Sequence, residues 1–215
     1  EIYTLSLHDA LPISLISDKA GVMNIALEGI MLISALAGVY FSAIAGSSAI
    51  GLLAAVVAGG LVGLFLAYCA LKLKTNIILS GIAVNLMGGG GTVFALFLLT
   101  GDKGISSSLA SKVLPKLAIP ILKDIPVLGT MLSGHNVLTY TAFLFVVLVF
   151  IFLYKTPLGL RIRAVGENPD AAASVGIGVM KMQYLALVLS GMVAGFGGAY
   201  MSMGYVSWFS KNMTA

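Results

Sequence analysis

Five long apolar runs, at about 22–45, 49–71, 77–99, 137–154 and 183–206, divide the chain. Roughly 20 apolar residues suffice for a helix that crosses a bilayer, and each run is of that order. The strict two-residue alternation of a barrel strand is missing, so the pattern predicts an all-α, polytopic transmembrane bundle of about five spans. Two longer stretches interrupt the apolar sequence. The stretch 155–181, KTPLGLRIRAVGENPDAAASVGIGVMK, is a charged island with Lys155, Arg161, Arg163 and Lys181 against Glu167 and Asp170. Its punctuation is that of short helices. Thr156-Pro157 offers a hydroxyl N-cap and a proline at the first helical position. Asn168-Pro169-Asp170 offers a second start with an acid in the first turn, and Gly176 stops a helix predicted over Ala171–Val175. A capped, charged element between spans is suited to being gripped by a partner.

Composition agrees with a bilayer as solvent: 59% of residues are hydrophobic, 9% are charged, and mean hydropathy is +1.06. The single Cys69 lies in an apolar run and can form no internal disulfide. A formal charge of +4 comes with no basic or aromatic face on which nucleic acid would be read, so no nucleic-acid partner is expected. If the island is cytoplasmic, alternation of spans puts Lys19, Lys72 and Lys74 on the same side, where the basic residues hug span ends. The basic residues of the other side, Lys103, Lys112, Lys116, Lys123 and Lys211, are mostly spread along the 100–136 loop, so the bias favours an inside N-terminus. That loop alternates Pro115, Pro120 and Pro126 with apolar residues and reads as a packed cap over the exit.

The chain ends carry their own signals. EIYTLSLHDALPI, residues 1–13, resembles the in-frame translation of a sequencing-library adapter, which removes His8 and Asp9 from consideration and rules out a signal peptide there. The expected protein is a single transmembrane domain over 14–215, an internal stretch of a longer reading frame with the island as its cytoplasmic loop.

Within the spans, polar groups are few. Asn24 and Glu28 are spaced i, i+4 and would share a helix face. A carboxylate inside a membrane is a functional candidate by default. The alternative is a structural hydrogen bond from Glu28 to a neighbouring span, for instance to Asn85 at similar depth. Gly88–Gly91 reads either as a broken helix lining a substrate path or as close helix packing. Packing is the reading for Gly59, Gly60 and Gly63 and for Gly191, Gly195, Gly197 and Gly198. No strand precedes the glycine run and no Lys-Ser/Thr follows it, so it does not read as a phosphate cradle. His135 has no clustered acid or cysteine, and neither a metal-ligand cluster nor a nucleophile–base pair is visible; no catalytic residue, metal or cofactor is expected.

SDKAGVMNIALEGIML (17–32), LSGIAVNL (79–86), TPLGLRIRAVGENPDAAASVGI (156–177), LSGMVAGFGGAYMSMG (189–204) and FSKNMTA (209–215) resemble, in order and spacing, the permease subunits of bacterial ABC importers of the branched-chain amino acid and ribose type. Within that group the likeness is nearest to nucleoside permeases that work with a lipoprotein of the basic membrane protein family. The resemblance implies a multi-pass cytoplasmic-membrane protein that hydrolyses no ATP. It would pair with a second, identical or homologous permease, an ATP-binding cassette subunit and a substrate-binding lipoprotein. It identifies 155–181 with the coupling loop, and Arg161, Arg163, Glu167, Asn168, Pro169, Asp170 and Gly176 with its coupling residues. Asn24, Glu28 and Asn85 would be the polar groups available to a substrate. Members have further spans on both sides of the matched region, and many carry acidic or threonine residues where this chain has Ala173-Ser174. The competing class is a self-sufficient secondary transporter or channel in which Glu28 titrates; such a carrier needs no docking loop and would place more ionisable groups in its spans.

Overall fold

A computed structural model describes residues 14–101 and 137–206. These residues form helices and turns with no strand among them. After a helical turn at 14–18 come α1 (Leu27–Ala45), α2 (Ser48–Ala67, prolonged by a π-helical turn Tyr68–Lys72), α3 (Ile77–Thr100), α4 (Val137–Lys155), α5 (Pro157–Glu167), α6 (Pro169–Ser174) and α7 (Val179–Ala199, prolonged by a π-helical turn Tyr200–Val206). Among the described residues, four stretches are long and apolar enough to cross a membrane: Leu27–Ala45, Ser48–Lys72, Ile77–Thr100 and Val179–Gly204. A fifth arises where Leu144–Lys155 and Pro157–Glu167 form one pair bent by 74°. The five predicted runs are therefore found, with one displacement: the first helix starts at Leu27, not near residue 22. Residues 1–13, 102–136 and 207–215 lie outside the described residues, and with them the predicted cap, His135 and the adapter-like start.

Packing is inside-out relative to a water-soluble bundle. Large apolar side chains such as Leu53, Leu61, Leu79, Leu86, Phe94 and Leu98 are exposed, while glycine and alanine are buried. The reason is that lipid tails are as apolar as leucine, so helices associate through close backbone approach. On α2 the buried row Gly51, Ala55, Gly59 and Gly63 recurs every four residues; Gly51 meets Gly38 and Ser42 of α1 and Met203, while Ala55, Gly59 and Gly63 face Leu187, Gly191 and Gly195 of α7. A Cβ at Gly59 would run into the Gly191 carbonyl, and one at Gly195 would sit 2.5 Å from the Ala55 carbonyl. The two helices are antiparallel, with Gly63 level with Leu187 and Ala55 level with Gly195. On α1, Gly38 meets Ala55 of α2 and Gly29 meets Val84 and Asn85 of α3, so the glycine sets read from the sequence as packing surfaces do pack.

The Gly88–Gly91 run lies inside an unbroken α3, which corrects the broken-helix reading. Gly88 is a packing residue, its missing side chain making room for Gly29 of α1, whereas nothing lies within 4 Å of a Cβ at Gly89, Gly90 or Gly91. A buried cluster of Ile16, Ala20, Val149, Leu153, Ile162 and Ala186 ties the opening helical turn to α4, α5 and α7.

Candidate functional site

The charged island is built at one end of the bundle from α5, α6 and the turns around them. Thr156 makes the bend. Its hydroxyl donates to the Phe152 carbonyl at 2.6 Å and accepts from the Gly159 amide at 3.1 Å, so one side chain closes α4 and caps α5. Gly159 lets α5 fold back onto α4, since a Cβ there would overlap the Phe152 carbonyl. Gly159, Ile162, Val165 and Gly166 form the inward face, and Gly166 rests on the backbone of Lys19 and Gly21. Asn168 caps α6 by accepting from the Ala171 amide at 3.0 Å, Pro169 stands at the first helical position and Asp170 in the first turn, as predicted. Helix α6 ends at Ser174, where Gly176, with φ +83°, closes a Schellman motif through Ile177 N–H to Ala172 C=O and Gly176 N–H to Ala173 C=O.

What this frame presents outward is mixed in chemistry. Arg161, Glu167, Asp170 and Lys181 are exposed, and Val175, 74% exposed, projects among them. Arg163 differs: its guanidinium lies over the Tyr154 ring, 4.5 Å from the centroid, which braces α5 against α4. At the same end, Lys72 to Lys74 form the turn between α2 and α3, with Lys74 in the left-handed region at φ 53°. The basic residues Lys19, Lys72, Lys74, Lys155, Arg161, Arg163 and Lys181 thus share one end of the bundle.

The polar groups inside the spans are arranged otherwise than the i, i+4 spacing suggests. The turn at 17–22 is a second Schellman motif, with Val22 N–H on Ser17 C=O, Gly21 N–H on Asp18 C=O and Gly21 at φ +71°. Residues 22–26 then run non-helically into the bundle before α1 begins. Asn24 and Glu28 therefore share no helix face. Buried Asn24 donates to Ser190 Oγ of α7 at 3.0 Å and accepts from the Ala26 amide at 3.1 Å. The N-cap of α1 is Ala26, which has no side-chain acceptor, and Asn85 of α3 supplies one from across the bundle. Its Oδ1 accepts from Gly29 N–H at 2.8 Å, and its amide donates to the Ile25 carbonyl at 2.9 Å. Asn85 stands eight residues into α3, about 12 Å along its axis, and Ser190 eleven residues into α7, about 16 Å along. The break is thus at membrane depth, where unsatisfied backbone must be paired by protein.

The expected tie between Glu28 and Asn85 is not made; Asn85 is committed to backbone. Glu28 is exposed in the first turn of α1, and no hydrogen bond or ion pair holds it among the described residues. No group of three His, Cys, Asp or Glu side chains that could hold a metal is present among the described residues. The sequence reading missed Ser190 as the partner of Asn24, and Gly21 and Gly166 as a contact pair. The spacing of Gly159 and Gly166, i and i+7 around Ile162 in a charged stretch, was the available signal for the last.

Comparison with known proteins places this arrangement. The chain is 39% identical over 191 residues to the guanosine ABC transporter permease protein NupQ of Bacillus subtilis, covering 85% of this chain and 59% of that protein. It is 34% identical over 204 residues to the putative glucose ABC transporter permease protein TsgC13 of Haloferax volcanii, covering 93% and 60%. It is 32% identical over 208 residues to the nucleoside ABC transporter permease protein NupC of Lactococcus lactis, covering 93% and 64%. The chain thus spans about six-tenths of the length of these relatives. No solved structure matches it. Residues 3–215 match the family described as the permease component of the branched-chain amino acid transport system. A multi-pass helical bundle with paired small-residue faces and a capped polar loop at one end, matched over nearly its whole length, belongs to the ABC transporter permease family of the branched-chain amino acid transport type.

Proposed function

We propose that this chain forms the membrane pathway of an ATP-driven nucleoside importer in a bacterial cytoplasmic membrane. In this reading 155–181 docks on a separate ATP-binding subunit, a second permease completes the pathway, and a binding lipoprotein delivers substrate. The observation that carries the docking role is the construction of α5 and α6. Both helices are capped, and α5 is seated through Gly159 and Gly166 on the bundle, while charge and the apolar Val175 point away from it. An idle solvated loop has no use for a rigid frame that holds a valine in water. Arg161, Glu167 and Asp170 are the docking charges in this proposal; Asn168, Pro169 and Gly176 shape the element, and Arg163 braces it. Nucleoside is favoured as substrate because two of the relatives are named as guanosine and nucleoside permeases.

Glu28 is the polar group proposed to line the pathway. A carboxylate at the level of Asn85 costs about 2.5–3.5 kcal/mol at a bilayer centre, so its open face borders water or a second subunit rather than lipid. Carboxylate oxygens accept hydrogen bonds from the hydroxyls and ring N–H groups of a nucleoside. The deciding experiment is uptake of radiolabelled guanosine and other nucleosides by cells that express the full-length parent with its ATP-binding and lipoprotein partners. Uptake should vanish with a hydrolysis-dead ATP-binding subunit. Uptake that survives would refute the importer and favour a carrier that works through Glu28.

A further inference from the structure

We infer that residues 19–26 are the link that carries movement of the α5–α6 loop to the start of α1, fixed at its outer end by Gly166 and at its inner end by Asn85. The inference rests on the docking role proposed above. At the outer end the contact is backbone on backbone. A Cβ on Gly166 would overlap the Lys19 carbonyl oxygen and lie 3.0 Å from the Gly21 nitrogen, and a Cβ on Gly21 would lie 3.3 Å from the Gly166 Cα. No side chain intervenes to bend or change rotamer, so a displacement of α5 is passed to the turn at 17–22. That turn is itself closed by the hydrogen bonds Ala20 N–H to Ser17 C=O, Gly21 N–H to Asp18 C=O and Val22 N–H to Ser17 C=O.

From Gly21 inward the chain lacks helical hydrogen bonds for five residues, which reach at most about 17 Å. It is held instead by discrete side-chain bonds to two different helices: Asn24 to Ser190 of α7, and Asn85 of α3 to Ile25 and Gly29. An uninterrupted helix would resist bending here over its whole length. A non-helical segment pinned at a few points can change direction by exchanging those bonds. The second residue of α1 beyond this segment is Glu28, so the link ends at the proposed pathway carboxylate. Gly166 and Asn85 act here as positioning residues.

The test uses the full-length parent in complex with its ATP-binding subunit in lipid, with Cys69→Ser and Met23→Cys introduced together. Met23 is 62% exposed on the link, so its cysteine can be labelled with a polar maleimide. ATP bound under hydrolysis-blocking conditions should change the labelling rate about five-fold, and Gly166→Ala should abolish that change while the ATP-binding subunit stays bound. Gly91→Ala, where a Cβ meets nothing within 4 Å, should preserve it. An unchanged rate in a complex that imports nucleoside would overturn the link, and so would an ATP response that persists in Gly166→Ala. The first of these needs no Gly166 variant, so poor folding of that variant does not protect the proposal. Should Asp170→Lys leave both capture of the ATP-binding subunit and import intact, the docking reading itself falls, a result distinct from either of the others.

Discussion

Replacing Asn85 by alanine should destabilise the bundle more than any other single polar change within the spans. The side chain makes two bonds of opposite sense, accepting from Gly29 N–H at 2.8 Å and donating to the Ile25 carbonyl at 2.9 Å. Both partners are backbone groups at the start of α1, where the N-cap Ala26 has no side chain to substitute. Bonds within membrane bundles contribute about 0.6–1.7 kcal/mol each, and a buried backbone group left unpaired costs about 1–3 kcal/mol. Two such groups give a loss of about 2–4 kcal/mol for Asn85→Ala. At about 2–4 °C per kcal/mol, the melting temperature of the purified full-length parent in detergent should fall by about 4–16 °C. Asn85→Asp should fare no better: it keeps an acceptor for Gly29 but sets a carboxylate oxygen against the Ile25 carbonyl. Glu28→Ala is the internal comparison. With no partner to lose among the described residues, it should cost less than about 0.5 kcal/mol. An Asn85→Ala protein that melts within about 1 °C of the parent, or a Glu28→Ala protein that melts well below it, would refute the assignment of the structural role to Asn85.

Gly59→Ala places a Cβ on the Gly191 carbonyl and should cost about 1–3 kcal/mol by forcing α2 from α7, read as a lowered melting temperature. Gly90→Ala, with open space around it in α3, should instead raise stability by about 0.5–1 kcal/mol in the same assay. Asn168→Ala removes the α6 cap at a cost of about 1 kcal/mol; amide exchange across Asp170 to Ser174 should speed up several-fold, and Asn168→Ser should restore it. Glu167→Lys combined with Asp170→Lys should abolish import while the melting temperature stays within about 2 °C of the parent, because both side chains are exposed and away from the core.

The spans and the caps of α5 and α6 were legible because their causes are local. Apolar length sets a span, and a hydroxyl or amide side chain before proline sets a helix start within four residues. The beginning of α1 was not legible for the opposite reason. Val22-Met23-Asn24-Ile25-Ala26 is apolar enough to read as helix, and the groups that hold it otherwise lie far along the chain: Ser190 is 166 positions from Asn24, and Asn85 is 60 from Ile25. Asn85 was singled out correctly as a polar residue at depth, but a lone asparagine does not announce whether it serves a ligand or a neighbouring helix end. Gly88–Gly91 left two readings open for a related reason: glycine weakens a helix locally, yet the hydrogen-bond ladder of α3 continues when membrane offers the backbone no other partner, and only Gly88 packs closely. The i, i+7 spacing of Gly159 and Gly166 hinted at a shared small face on α5, but what Gly166 meets there, Lys19 and Gly21, reaches it only after folding.

Three consecutive helical residues of α3, Gly89 to Gly91, gain nothing from their smallness among the described residues. Each forgoes about 1 kcal/mol of helix stability relative to alanine, and no close neighbour among the described residues makes use of the space. Mechanically, α3 therefore consists of a stiff inner rod fastened to α1 through Gly81, Val84, Asn85 and Gly88, an outer rod from Thr92 to Thr100, and a pliant coupling between them. Bending energy stored anywhere along the helix will concentrate in that coupling. The outer rod is itself seated on α1, where Leu96 is fully buried with Leu32, Ala35 and Leu36, so the glycines join two anchored halves of one continuous helix.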